Sequence, residues 1–176
     1  MLKLIGIIVV LLIAGVLLTA ATRPDTFIVQ RTAVIKSPPD KVFPYINDFE
    51  RWPAWSPWEK KDPAMKRSYG GTKSGKGAKY AWQGNSDVGQ GSMEIADSVA
   101  PSRVALKLDF VKPFEAHNNV EFSLRPEAGG ATQVTWKMQG PLPYFAKVIH
   151  LVLDMDKMVG ADFEAGLANL KSIAEK

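Results

Sequence analysis

The spacing of hydrophobic and polar residues changes several times along the chain, and each change marks a different kind of element. Leu4–Leu18 contains no charged or strongly polar side chain. An apolar run of about 19 residues rises roughly 28 Å as a helix, close to the hydrocarbon thickness of a bilayer. The pattern predicts a membrane segment over residues 1–22, a linker over 23–26 and one folded domain over 27–176.

The start of the domain predicts one strand followed by two short helices. Phe27–Lys36 is rich in Val, Ile and Thr, which is typical of a strand. Ser37 is the predicted N-cap of a short helix whose first turn holds Pro38 and Pro39. Asp48–Trp58 has tryptophans three residues apart with prolines between them, which indicates a kinked helical or 3₁₀ connector.

Alternation of apolar and polar residues then predicts about six antiparallel strands. The predicted strands cover residues 65–69, 78–83, 89–98, 103–111, 115–125 and 132–140. The clearest of them places Val104, Leu106, Leu108 and Phe110 on one face and charged residues on the other. Such alternation indicates a sheet with one solvated face and one covered face.

The period becomes helical again between Pro143 and Lys176, with a break expected near Asp154 or Gly160. The apolar positions are Met155, Val159, Phe163, Leu167, Leu170 and Ile173 or Ala174. A sheet with one apolar face must cover that face, and this helix is the largest element available. The sequence therefore predicts an α+β fold in which a curved antiparallel sheet wraps around a long C-terminal helix.

Composition removes several classes of chemistry. The chain has 176 residues and no cysteine, which excludes disulfides, thiolate metal sites and cysteine nucleophiles. Its two histidines, His117 and His150, fall on different elements without a third ligand at metal spacing, so we predict no metal and no cofactor. The net charge of +4 is too small to indicate nucleic acid binding.

The loop at Gly70–Gly77 approaches the phosphate-binding pattern G-x-x-x-x-G-K-[ST] without completing it. Gly77 stands where a hydroxyl is needed, and a predicted strand follows where the motif requires a helix. We therefore interpret this segment as a hairpin loop. The candidates for acid or base chemistry in an enzyme are Asn118, Tyr80 and Asp162, and none forms a catalytic motif.

A basic stretch runs from Lys60 to Lys79 and contains seven Lys and Arg residues. Two interpretations stay open: attraction to anionic lipid head groups, or a solvated loop face, and we favour the second. Nucleic acid binding would require more exposed aromatic residues among these charges.

Large apolar residues recur on the predicted inner face of the domain. The candidate ligand-binding residues are Trp55, Trp58, Tyr80, Trp82, Met93, Phe110, Phe122, Trp136, Met158 and Phe163. They predict either an ordinary packed core or, where side chains leave space, an apolar pocket. The corresponding partner is a hydrophobic small molecule or a lipid.

The N-terminal segment allows two locations. As an uncleaved anchor, with Lys3 and the terminal amine on the cytoplasmic side, it would make a single-pass membrane protein with an extracytoplasmic domain. As a signal peptide cleaved near Thr19–Ala21, it would export the domain to the periplasm. The length of the apolar run favours the anchor.

Several motifs resemble the SRPBCC superfamily, and in particular its bacterial polyketide-cyclase-like members. The opening Ser37–Phe43, the tryptophan-rich connector Asp48–Trp58 and the segment Tyr80–Asn85 are similar to theirs. Gly89–Met93 and the closing segment Met155–Lys171 are also similar. This resemblance implies the helix-grip fold, as in START and birch-pollen-allergen-like proteins.

The resemblance covers roughly Phe27–Glu175. Together with the aromatic inner face and the apolar N-terminal segment, it leaves three functions open. The first is a membrane-tethered binding module or carrier for a hydrophobic small molecule or lipid. The second is an enzyme resembling polyketide cyclases and dehydratases. The third is an envelope accessory protein that acts through protein partners. A shared fold does not by itself choose among them.

Overall fold

The computed structural model describes residues 2–152 and 154–176, and the side chains of Leu2, Val152 and Met155 fall outside this description. The helices are α1 (Leu2–Ala21), α2 (Pro39–Asn47), α3 (Trp58–Lys61), α4 (Tyr144–Val152) and α5 (Met155–Ala174), with 3₁₀ turns at Phe49–Ala54 and Ala128–Gly130. The strands are β1 (Thr26–Ile35), β2 (Lys66–Gly71), β3 (Ala78–Gln83), β4 (Gln90–Val99), β5 (Arg103–Lys112), β6 (Ala116–Glu127) and β7 (Ala131–Pro141).

The seven strands form one antiparallel sheet in the order β1-β7-β6-β5-β4-β3-β2. The first strand pairs with the last, with Thr26 opposite Pro141 and Ile35 opposite Thr132. Strands β2 to β7 lie side by side in the sheet in the same order in which they follow one another along the chain. This arrangement, with the long α5 packed on the sheet, confirms the predicted α+β helix-grip fold.

Helix α5 covers the inner face of the sheet with the apolar stripe that its period predicts. Phe163, Leu167 and Leu170 are buried within the core. The break falls at Asp154, whose side chain caps α5 by accepting a hydrogen bond from Lys157 N at 3.0 Å. Gly160 continues the helix and gives room for the Arg31 guanidinium, which a Cβ at this position would overlap.

The N-cap prediction for Ser37 is wrong. Helix α2 begins after Pro38, and no side chain caps its first turn. Ser37 is buried, and its carbonyl accepts a hydrogen bond from Thr132 Oγ1 at 2.6 Å. The residue thus fixes the end of β1 to β7, and the two prolines that follow supply the fixed φ angles of the helix start.

Candidate functional site

Trp136, at the centre of β7, is surrounded by aromatic rings from four other parts of the chain. Its ring stacks on Phe163 of α5 at a centroid distance of 4.1 Å and lies 4.8 Å from Phe122 of β6. Trp55 and Trp58 meet it edge-on at 5.5 and 5.7 Å. These separations are in the range of favourable aromatic contacts, so the rings fill the space between the sheet and α5.

The buried tryptophans differ in what their indole N–H groups bind. Trp52 Nε1 donates to Ile46 O at 3.0 Å, Trp55 Nε1 to Tyr45 O at 2.9 Å, and Trp82 Nε1 to the carbonyl of Val88 at 2.9 Å. Trp136 Nε1 is buried and has no hydrogen-bond partner among the described residues. An unpaired buried donor costs about 1–3 kcal/mol, so it usually has a partner or a function.

Trp58 is the least buried ring of this cluster. It begins the four-residue helix α3, directly after Pro57. Its half-buried ring lies over both Trp136 and Phe163, at centroid distances of 5.7 and 6.3 Å. Trp58 therefore forms the outer wall of the aromatic cluster.

A second aromatic group lies on the neighbouring strands. Tyr80 and Trp82 of β3 stack at 5.9 Å, and Trp82 meets Phe110 of β5 edge-on at 5.7 Å. Met93 is half-buried beside them. Nine of the ten predicted binding residues thus face the interior. The exception is Met158, which is 56 % exposed because it lies off the apolar stripe of α5 that Val159 and Phe163 form.

A buried carboxylate that the sequence does not predict lies at the edge of this second group. Glu59 Oε2 accepts a hydrogen bond from Arg67 Nε at 2.7 Å, and Glu59 Oε1 accepts one from the Tyr80 hydroxyl at 3.2 Å. Burial, with the nearby Glu59 charge, raises the pKa of Tyr80 well above its ordinary value. The hydrogen bond that Arg67 donates to Glu59 raises the pKa of Arg67, so the guanidinium stays charged, and the Tyr80 hydroxyl stays a neutral donor.

The other candidates for acid or base chemistry are engaged elsewhere. Asp162 forms an ion pair with Lys61 at 2.7 Å on the outside of α5. Asn118 is buried against Gly140, where a Cβ would overlap its side-chain oxygen. Neither side chain is near the Glu59 carboxylate in these contacts, so the structure brings Tyr80 alone of the three to a buried acid.

Four of the seven basic residues in the stretch from Lys60 to Lys79 contact acidic or amide side chains of this domain. Lys61 binds Asp162, Arg67 binds Glu59, and Lys79 lies 3.6 Å from Glu94. Lys60 donates to the Asn169 side chain at 3.2 Å. These contacts favour the interpretation as a solvated face.

Two surface depressions lie beside β2 and β3, away from Trp136. Their volumes are about 250 and 320 Å³. Tyr69 and Lys79 line both depressions. Phe49 and Glu50 also line the first, and Tyr80, Met93 and charged residues of β4 and β5 also line the second. Their open shape and mixed lining contrast with the closed aromatic interior.

His117 lies on the outer face of β6 between two carboxylates. Its Nδ1 is 2.6 Å from Asp109 Oδ1, and its Nε2 is 3.4 Å from Glu115 Oε1. The hydrogen bond with Asp109 raises the pKa of His117. The described residues contain no group of three His, Cys, Asp or Glu side chains with a geometry suited to a metal ion.

A helix-grip domain with an aromatic interior defines a class of proteins, and comparison of the sequence identifies the family within it. Residues 26–175 match the family described as polyketide cyclase / dehydrase and lipid transport, and the chain belongs to this family. Family and fold together support a ligand-binding or cyclase-like role. A comparison with curated protein sequences finds no match.

Solved structures share the fold at low sequence identity. A protein from Chromobacterium violaceum is 15 % identical, with a TM-score of 0.59 over 87 % of this chain and 99 % of its own. A Staphylococcus aureus protein of unknown function is 13 % identical, with a TM-score of 0.62 over 85 % and 94 %. DynU16, from the dynemicin biosynthetic locus, is 17 % identical, with a TM-score of 0.59 over 88 % of this chain and 48 % of its own. At such identities the likeness establishes the fold alone.

Proposed function

We propose that this chain is a membrane-anchored binding protein for a hydrophobic small molecule or lipid that carries one hydrogen-bond acceptor. The single observation that carries the proposal is the N–H of Trp136, which lies inside an aromatic interior and has no partner in the described part of the chain. A ligand oxygen would satisfy this donor, and the surrounding rings would bury the rest of the molecule.

Access to Trp136 requires a ring to move, because the rings around it contact one another. Trp58 is half-buried, and it sits on a helix of a single turn. Displacing a ring that is already partly solvated costs less apolar burial than displacing Trp55 or Phe122, which are fully buried. We infer that Trp58 swings out to admit the ligand.

Anchoring to the membrane is supported by α1. Lys3–Ala21 has a mean hydropathy of 3.0 and is almost entirely exposed, which is compatible with a membrane span or with a signal sequence. A buried core helix would hide its apolar side chains, whereas these face outward. We propose the uncleaved span, with the domain on the extracytoplasmic side.

Native mass spectrometry of the full chain, released in detergent from its own membrane, tests the binding proposal. We expect a small-molecule adduct on the wild-type protein and a several-fold lower occupancy on Trp136→Phe, which keeps a ring and removes the N–H. Trp52→Phe is the matched control, because it removes an N–H that already binds Ile46 O. Absence of an adduct from the wild type, or equal occupancy in all three proteins, would refute the proposal.

A cyclase or dehydratase is the second candidate, and Glu59 is the observation that favours it. A buried carboxylate in contact with a tyrosine hydroxyl is an arrangement that proton transfer can use. Its pairing with Arg67 argues for a structural role instead. Release of water from a polyketide-like β-hydroxy ketone by the wild type, lost in Tyr80→Phe while the fold is retained, would favour the enzyme.

A further inference from the structure

The folded domain is held close to the end of α1. Helix α1 ends at Ala21 and β1 begins at Thr26, so four residues join them and the two ends can be at most about 18 Å apart. The link is also fixed by contacts. Asp25 O accepts a hydrogen bond from Leu142 N at 2.7 Å, and Asp25 Oδ1 lies 2.5 Å from Nζ of the buried Lys147. The domain therefore cannot move far from the end of α1.

Helix α4 runs beside the last turns of α1. The hydroxyl of Tyr144, the first residue of α4, donates to Leu17 O at 2.8 Å. Ala20, on the last turn of α1, is completely buried, unlike the apolar residues earlier in the helix. If α1 spans a bilayer, the start of α4 must lie at the same depth as its end.

Strand register places the turn between β5 and β6 at the end of the sheet where β1 begins, next to the end of α1. Thr26 at the start of β1 pairs with Pro141 at the end of β7. In the adjacent strands Asn119 of β6 pairs with Gln139, so β6 begins at that end as well. The turn between β5 and β6 therefore lies at the same end of the sheet. We call the proximal rim the surface formed by this turn (residues 111–115) and the first turn of α4 (residues 144–147).

The proximal rim exposes aromatic and aliphatic side chains. Phe114 is 72 % exposed and Phe145 is 71 % exposed, and Val111 and Tyr144 are exposed beside them. Charged residues on the rim have both signs, as with Lys112 and Glu115. Aromatic side chains favour the boundary between head groups and acyl chains, where apolar burial drives insertion.

We propose that the proximal rim is a second membrane contact, in which Phe114 and Phe145 insert into the bilayer that α1 spans. This inference rests on the proposed anchoring, and it fixes the orientation of the domain as well as its location. Mixed charges on the rim mean that insertion depends on apolar burial and does not require anionic lipid.

The orientation places the Trp58 side of the domain toward the lipid. Helix α3 ends next to Asp62, whose Oδ2 accepts a hydrogen bond from Asn85 N at 2.8 Å in the turn between β3 and β4. That turn lies at the proximal end, because Gln90 pairs with Lys112. Trp58 is one helical turn from this contact, so it lies near the end of the domain that faces the bilayer.

Site-specific fluorescence in vesicles tests the membrane contact, and the absence of cysteine makes single labels straightforward. Phe114→Cys and Phe145→Cys are labelled with an environment-sensitive dye in the full chain, reconstituted in phosphatidylcholine vesicles that contain spin-labelled lipid. Val99→Cys is the matched control, since Val99 is an exposed apolar residue at the opposite end of the sheet. Leu12→Cys, within α1, reports on the anchor itself.

We expect several-fold stronger quenching by lipid at positions 114 and 145 than at 99, with a blue-shifted emission. Strong quenching at 12, with 114 and 145 no more quenched than 99, would overturn the membrane contact and leave the anchor in place. No quenching at 12 would overturn the anchor and the contact together.

Discussion

Trp55 and Trp136 have the same side chain, are both buried, and lie 5.5 Å apart, yet the protein treats them differently. Trp55 comes from the connector and uses its N–H to bind the backbone of α2 at Tyr45. Trp136 comes from the middle of a strand, where backbone groups are already paired within the sheet, and none of residues 2–152 and 154–176 as described accepts its N–H. Equal burial therefore goes with different hydrogen bonding: one indole fastens the connector, and the other is the donor to which we propose a ligand binds.

The largest effect is expected from removing either ring. Trp55→Ala deletes a fully buried indole that touches Trp52, Phe122 and Trp136, and it should cost about 3–5 kcal/mol of unfolding free energy through lost burial and a residual cavity. Trp136→Ala should cost about as much, for the same reason. Chemical denaturation of the full chain in detergent measures both. A loss below about 1 kcal/mol for Trp55→Ala would show that the Trp55 ring is not packed between the connector and the sheet.

Phenylalanine substitutions separate the two rings. Trp55→Phe leaves the carbonyl of Tyr45 without its donor, whereas Trp136→Phe removes a donor for which the structure, where it is described, shows no partner. Since an unmade buried hydrogen bond costs about 1–3 kcal/mol, Trp136→Phe should be the more stable variant by at least about 1 kcal/mol. The same denaturation experiment compares them. Equal stabilities would mean that Trp136 Nε1 is satisfied in solution.

A substitution at Gly166 tests how closely α5 packs against Trp136. A Cβ at Gly166 would lie 2.7 Å from Trp136 Cζ3 and 3.1 Å from Pro57 Cδ. Overpacking of about 1–3 kcal/mol should outweigh the gain of about 1 kcal/mol in helix propensity, so Gly166→Ala should be destabilising by roughly 1 kcal/mol.

The Trp136→Phe background should relieve this cost, because the ring atom that clashes is then absent. A double-mutant cycle measures the coupling between the two positions. Independent, additive effects would indicate that α5 shifts away from Trp136 when the methyl group is added.

The smallest effect is expected on the outer face of the same sheet, at His117. Asp109 raises the pKa of His117, so the protonated form is favoured in the folded state and its contribution to stability is present at low pH. That contribution should be lost as the pH rises through the folded-state pKa. NMR titration of the imidazole should show a pKa above the ordinary value, returning toward it in Asp109→Asn. An unchanged pKa in Asp109→Asn would contradict the contact. The environments of Trp55 and Trp136 should not change during this titration, since His117 lies on the exposed outer face of the sheet.

Much of the fold follows from the sequence, because alternation at period two is strong where one face is covered. The strand predicted at 103–111 is observed at Arg103–Lys112, and the predicted break in the C-terminal helix falls at Asp154. Helix α4 was less accessible to prediction as a separate element, since its position depends on contacts with α1 more than a hundred residues earlier. Such contacts leave no local pattern.

The site was predictable in its aromatic face and not in its polar detail. Trp82, Phe122 and Trp136 occupy alternating strand positions, so their inward direction follows from the period. Glu59 was missed, because a helix of four residues has no periodicity that marks a buried position. Its partners Arg67 and Tyr80 lie on two different strands, and pairing across strands becomes visible only in three dimensions.

The pairing of the first strand with the last also determines when, during synthesis, the sheet can be completed. The first contact between β1 and β7 closes a loop of roughly 100 residues, with an entropic cost of about 4 kcal/mol. During synthesis β1 emerges directly after the apolar helix but has no strand to bind until the ribosome has passed residue 141. If the apolar helix is a membrane span or a signal sequence, it is therefore free for recognition by the targeting machinery for most of the time that the domain is being translated, before folding draws it against α4.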